Sequence, residues 1–329
     1  MVQPNGPTSS IEELLLKEKQ KHPSWGPKKL VAILRDKHGV VPPAASTAGA
    51  ILQRNGLVKP RKRKRFANKS WPGKLTQPER PNHVWAADYK GWFRTQDREK
   101  CHPLTVSDLH SRYLLCVDAH PGYTHAASMK SFGRVFSEYG LPEVIRVDNG
   151  VPFAGPGLAN LSRLSVAWMR LGIRVEFIKP GRPDQNGCHE RMHKTLKAET
   201  TRPPAKNRTE QQKRFDGWRD EFNEHRPHEA LGQKAPGSMY ERSSRACPDT
   251  LPNFEYPGHL DRRNVRCNGE IKWGGQSVFI GTGFIGARLG IDSSHPDGAA
   301  VYAGDLILGI IEPGSGRGTS PSLNLVRIV

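Results

Sequence analysis

Three acidic residues, each in a stretch that defines its surroundings, carry the chemistry open to this sequence. Glu190 follows a loop stiffened by Pro180 and Pro183 and loosened by Gly181 and Gly187, with Asn186 as N-cap of the helix that comes next. The spacing puts Glu190 in that helix's first turn and Lys194 and Lys197 on its face at i+4 and i+7. Cys188, Met192 and Leu196 form a separate apolar row. Asp88 is the one acid near the middle of an aromatic-rich run, Val84–Trp92, which reads as a strand and leaves the carboxylate in need of a partner. Asp148 closes a short strand from Val144 and precedes an Asn149-Gly150 turn, at a strand tip where sheet proteins place their chemistry. Brought together, three carboxylates suit hard divalent cations, Mg²⁺ or Mn²⁺, which take oxygen ligands and keep water and phosphate oxygens in their shell. Each acid also has a plainer account. Glu190 and Lys194 can form an i,i+4 ion pair on a solvated face, and an acid before Asn-Gly commonly serves the turn itself.

A rival chemistry occupies the same helix. His189-Glu190-x-x-His193 is a literal zinc-protease signature, in which the histidines would bind zinc and Glu190 would act as general base. Leu196 stands where the longer form of that motif needs Gly, Glu199 stands where it needs a third His, and the basic N-terminal region would have no purpose. His189 and His193 are therefore expected at the surface or facing DNA.

The elements that must position these residues follow from the pattern of apolar residues. Strands are expected over Val84–Phe93, Leu104–Asp108, Tyr113–Ala119, Val144–Asp148 and Ile173–Ile178. Helices are expected over Thr124–Tyr139, Leu158–Leu171, from Asn186 onward, and over Glu210–His225. Three strands followed by alternating helices and strands make a mixed sheet with helices on both faces. Before this core, three short helices are expected. Ser9 or Ser10 caps the first, which carries Ile11, Leu14 and Leu15; Pro27 opens the second, with Leu30, Ile33 and Leu34; Ser46 opens the third, with Ile51 and Leu52. After the core, short β-prone runs with Gly turns recur from Arg262 to Val329 and predict a small β-barrel.

The net charge of +18 is concentrated: residues 1–80 hold 17 Lys and Arg against 5 Asp and Glu. Much of this is the run Arg61, Lys62, Arg63, Lys64 and Arg65, directly behind the third helix. Such a segment calls for a polyanion, and duplex DNA fits better than a membrane surface, since no amphipathic membrane helix or lipidation motif accompanies it. Five scattered cysteines without a Cys-x-x-Cys pair argue against a disulfide framework or zinc ribbon. With no signal-peptide pattern and no long apolar run, a cytoplasmic, nucleoid-associated protein is expected.

Asp88 in Trp-x-x-Asp, Asp148 in Val-Asp-Asn-Gly with Phe153 beyond, and Glu190 in Pro-x-x-Pro-x-Gln-Asn-Gly-x-x-Glu-Arg together resemble the acidic triad of DDE transposases and retroviral-type integrases. Asn223, Arg226-Pro227-His228 and Leu231, with Pro236 following, are similar to the signature closing that core in bacterial insertion-sequence transposases. The gap between Asp148 and Glu190 is longer than the family's usual spacing, which the Gly/Pro-rich loop Ala154–Leu158 accounts for.

The resemblance implies a multidomain chain: a helix-turn-helix domain with a basic arm over 1–66, a linker over 67–80, a ribonuclease-H-like α/β core with mixed sheet over 81–245, a linker over 246–261, and a small all-β barrel over 262–329. It implies that Asp88, Asp148 and Glu190 are catalytic and hold two Mg²⁺ or Mn²⁺ ions for DNA end cleavage and strand transfer. Lys194, Lys197, Asn149, Asn186, Arg54 and Arg61 to Arg65 would contact DNA. Double-stranded DNA, as transposon ends and target, and further copies of the chain are the expected partners, with an accessory ATPase left open. The alternatives are a non-catalytic DNA-binding regulator derived from a transposase, and the zinc metalloprotease.

Overall fold

The computed structural model describes residues 9–58, 75–155, 160–179, 187–311 and 323–324, which fall into two compact units. In the first, α1 (Ser9–Lys21), α2 (Pro27–Asp36) and α3 (Ala45–Arg54) close on an apolar core of Leu15, Trp25, Leu30, Ile33, Leu34, Ala48, Ile51 and Leu52. Pro27 starts α2 because its missing N–H is one the first turn could not have bonded. The segment Asp220–Tyr240 belongs to this unit. Its Arg226 guanidinium lies 5.8 Å over the Trp25 ring, and Glu229 pairs with Lys28 at 2.5 Å.

In the second unit, β1 (Val84–Tyr89), β3 (Lys100–Asp108) and β4 (Leu114–His120) are antiparallel neighbours, while β5 (Val144–Val147) and β6 (Arg174–Phe177) run parallel to β1. The strand order is β4-β3-β1-β5-β6, and β2 (Phe93–Arg94) pairs with the start of β3. This mixed sheet with helices α4 (His125–Tyr139), α5 (Arg163–Arg170), α6 (Gly187–Thr200) and the part of α7 (Arg208–Glu224) up to Arg219 is the α/β core that the resemblance implies. Helix boundaries follow local chemistry. Thr124 caps α4 by accepting from the Ala127 N–H, and a Ser162/Ser165 capping box starts α5 later than apolar periodicity alone suggested. One expected strand is broken: Gly91, at φ +62°, ends the run from Val84 before β2 begins, so Asp88 stands near a strand end and not mid-strand.

The C-terminal part is all-β. An antiparallel sheet joins β7 (Asp261–Asn264), β10 (Arg288–Asp292), β11 (Ala299–Ala303), β12 (Leu306–Ile311) and β13 (Leu323–Asn324), in the order β13-β12-β11-β10-β7. β8 (Glu270–Trp273) and β9 (Gln276–Phe279) make a hairpin whose turn residues, Gly274 and Gly275, both take positive φ. β7 has no apolar alternation and escapes sequence reading; the backbone of β10 recruits it. The apolar core of this region is continuous with the α/β core, since Leu161 and Val166 bury against Val265, Ile271, Phe284 and Leu289. Among the described residues, no helix is long and apolar enough to cross a membrane.

Candidate active site

Two parallel strands set the aspartates side by side. The β1–β5 register pairs Val84 with Val144, Trp85 with Ile145 and Ala86 with Arg146. Carried forward along the chain, it puts Asp88 opposite Asp148 at the C-terminal ends of neighbouring strands, which run about 4.8 Å apart. The supporting strands are fixed by buried polar pairs: Trp85 Nε1 donates to Asn82 at 3.1 Å, and Arg146 on β5 donates to Glu176 on β6 at 2.7 Å. Beyond β5, Asp148 Oδ1 accepts the Gly150 N–H at 3.0 Å, and Asn149 Nδ2 donates to the Ile178 carbonyl at 2.6 Å. A Cβ on Gly150 would come within 3.1 Å of the Asp148 carboxylate, so the turn favours glycine.

Helix α6 brings Glu190, and its faces divide differently from expectation. Glu190, Lys194 and Lys197 are exposed, whereas His189, Met192, His193, Leu196 and Thr200 face inward. The histidines are not at the surface; both side chains are about 1% exposed. Thr105 Oγ1 on β3 lies 2.6 Å from Nε2 of each ring, Ser107 Oγ lies 3.1 Å from His189 Nδ1, and Thr105 Oγ1 donates to the Asp88 carbonyl at 3.1 Å. One proton assignment satisfies all four contacts: both imidazoles carry a proton on Nε2 and donate to Thr105, and Ser107 donates to His189 Nδ1. Burial, with the Lys90 charge adding to it, drops His189 to about 3. Burial, His189 and Lys90 hold His193 well below its usual value. The pair is therefore neutral, and the 3.6 Å approach of His193 Nδ1 to Asp88 Oδ2 is not an ion pair at physiological pH. The zinc-protease arrangement does not fit the same geometry, because three of the four ring nitrogens face hydroxyls on the sheet while Glu190 is solvent-exposed. The i, i+3, i+4, i+7 stripe through His189, Met192, His193 and Leu196 was the sequence signal for this face; treating His as a surface residue obscured it.

This network yields a stability prediction. His189→Ala or His193→Ala removes packing and strips a partner from a buried hydroxyl, so each is expected to cost about 2–3 kcal/mol. Urea unfolding checks it, and a loss under about 0.5 kcal/mol would show that the network does not hold α6 to the sheet.

Asp88 is the electrostatic centre of the site. Burial first, then the Asp148 charge and more weakly that of Glu190, push its carboxyl up to about 7, against the pull of Lys90 and the Tyr89 backbone. Asp88 thus carries the charge of both other acids in its surroundings. The donor set is all oxygen, as Mg²⁺ and Mn²⁺ prefer. Among the described residues, no three His, Cys, Asp or Glu side chains are drawn together tightly enough to hold an ion unaided.

Residues 171–236, which take in β6, α6 and the signature around Arg226, match the integrase core domain family. A 31.7 kDa uncharacterised protein of insertion element IS407 from Burkholderia multivorans is 27% identical over 208 residues, covering 61% of this chain and 70% of that protein. These likenesses support a place in the DDE transposase and integrase-like superfamily, of insertion-sequence type. A more distant relative is the Gag-Pol polyprotein of baboon endogenous virus, 28% identical over 130 residues; the match covers 40% of this chain and 7% of the polyprotein. The HTLV-2 integrase catalytic core domain, solved in complex with magnesium, aligns with a TM-score of 0.40 at 17% identity, covering 50% of this chain and 100% of that domain.

The integrase core match includes Glu190 but neither aspartate; the structural register sets Asp88 and Asp148 beside each other. Of the expected DNA contacts, Lys194 and Lys197 are solvent-exposed on the Glu190 helix, and the Asn149 amide is tied to the Ile178 carbonyl. In the three-helix unit, Arg54 pairs with Glu12 at 2.8 Å. Arg61, Lys62, Arg63, Lys64, Arg65 and Asn186 lie outside the described residues. Sequence reasoning missed Thr105, Ser107 and Lys90, whose roles depend on partners distant in the chain.

Proposed function

We propose that this integrase-like chain is a transposase that cuts transposon DNA ends and joins them to target DNA by in-line phosphoryl transfer. The raised Asp88 carboxyl, lifted first by burial and then by the neighbouring Asp148 and Glu190 charges, carries this reading. Keeping like charges together costs stability, a cost natural proteins sustain mainly at functional sites. For that reason catalysis is favoured over a purely DNA-binding regulator.

In the first step a water oxygen bonds to the phosphorus at the transposon end, and the bond to the 3′ oxygen breaks to leave a 3′-hydroxyl. In the second, that hydroxyl oxygen attacks a target-strand phosphate and displaces the target's own 3′ oxygen. Asp88, Asp148 and Glu190 would hold two Mg²⁺ or Mn²⁺ ions, which would supply activation of the nucleophile and stabilisation of the leaving oxygen. Lys194 and Lys197 hold phosphates of the DNA end along the exposed face of α6, and Asn149 and Asn186 orient groups beside the acids. The three-helix unit acts as a helix-turn-helix reader, with Arg54 and the Arg61–Arg65 run gripping the duplex backbone, and the all-β region forms a small barrel. Two ends must be joined, so the chain works as a homo-oligomer, at the nucleoid.

A strand-transfer assay on a labelled candidate end with added Mg²⁺ tests the reading, and a wild-type protein that never cleaves or joins any end would sink it. The basic run makes a separate prediction. Neutralising all five residues from Arg61 to Arg65 in the full chain should flatten the log–log salt dependence of duplex binding by roughly 0.9 for each phosphate that the run neutralises in the native protein. An unchanged slope in a filter-binding titration would remove the run from the interface.

A further inference from the structure

The loop joining β1 to β2 carries a feature that the triad does not explain. Trp92 is 50% exposed, whereas Trp25, Trp85, Trp168 and Trp218 are all buried, and it is the most exposed tryptophan among the described residues. An indole left in water sacrifices a large apolar area, so its placement there needs a reason. Gly91, at φ +62°, makes the turn that presents it. Cations surround the ring: Lys100 Nζ lies 4.8 Å and Arg94 Cζ 5.7 Å from its centroid. Lys90 and Lys197 line one small depression with Trp92 and Leu196, so the ring adjoins the α6 face that bears Glu190. Lys90 also acts electrostatically on Asp88. Four residues of chain separate Trp92 from Asp88, a span of at most about 14 Å.

We propose that Trp92 is a stacking platform for an unpaired nucleobase at the DNA end, with Lys90, Lys100 and Lys197 contacting the phosphates of the same strand. An exposed aromatic face set among cations is how proteins hold single-stranded nucleic acid. The centre of a protein–protein contact is instead depleted of charge. Interior bases of a duplex have both faces covered by their neighbours and a blunt terminal pair leaves only one open, so an unpaired base, free to turn onto the ring, is the occupant the site suits. The site rests on the reading that a DNA end reaches Asp88, and it adds to that reading a local opening of the end before cleavage.

The test measures binding, not catalysis. Full-length protein is titrated without divalent ions against a labelled blunt duplex and against the same duplex with three unpaired terminal bases. Wild type should prefer the frayed end roughly tenfold or more, the scale of one to two stacked bases. Trp92→Ala should abolish that preference while changing blunt-duplex affinity less than about twofold, and Trp92→Phe should keep most of it. A preference that survives Trp92→Ala, or that wild type lacks, overturns the proposal. So does a change in sedimentation of Trp92→Ala, which would assign the ring to contact between copies of the chain. If the binding pattern holds but wild type cleaves nothing with Mg²⁺, the platform stands and the catalytic reading alone fails.

Discussion

Converting Asp88 to Asn, Asp148 to Asn or Glu190 to Gln is expected to lower Mg²⁺-dependent end cleavage and joining roughly a thousandfold or more in each case. The size follows from groups that act as one unit: removing one disables the assembly, and removing a second adds little. The Asp88→Asn, Glu190→Gln double variant should therefore be only slightly worse than either single one. Duplex binding should persist in all three, because the concentrated positive charge lies in residues 1–80 and none of the three carboxylates belongs to it. Single-turnover assays on a labelled end, with binding measured in parallel, check both halves. Asp88→Asn and Asp148→Asn proteins that cleave and join at wild-type rates would end the triad assignment.

The same Asp88→Asn variant should be more stable than wild type in the absence of divalent ions, by up to about 4 kcal/mol near pH 8. The folded carboxyl titrates at about 7 against an ordinary 3.8, chiefly through burial and the Asp148 charge. Between those values the folded protein holds a proton that the unfolded chain has released, so wild-type stability falls as pH rises through the window from about 4 to about 7. Below it both states are protonated and the cost vanishes; above it the whole cost remains. The variant carries no such proton, so the difference should be near zero at pH 4 and greatest at pH 8. The Asp88 side chain is 24% exposed, and solvent screening makes the quoted value an upper bound. Mg²⁺ should narrow the gap by stabilising wild type alone, since binding to the folded state favours the ionised carboxylate. Urea unfolding at pH 4, 6 and 8, with and without Mg²⁺, measures this. If the variant proves equal to or less stable than wild type at pH 8 without the ion, the charges on Asp148 and Glu190 do not act on Asp88 as described.

Much of this protein was legible in its sequence because the signals are local. The apolar runs of β3 and β4, the apolar faces of α2 and α3, the Pro27 start and the order of strands and helices in the core all depend on residues within a turn or two of one another. The three acids were legible too, through their own short motifs. Tertiary structure decided what lies between distant residues. His189 and His193 are buried because Thr105 and Ser107, on a strand more than eighty residues earlier, supply the hydrogen bonds that let imidazoles leave water. Asp88 acquired its proton affinity because folding buried it and the β1–β5 register set it beside Asp148. β7 became a strand only because β10 offered its backbone. Periodicity determines which residues share a face; which face loses water, and which charges then meet at low dielectric, is set by partners that the chain brings together only on folding.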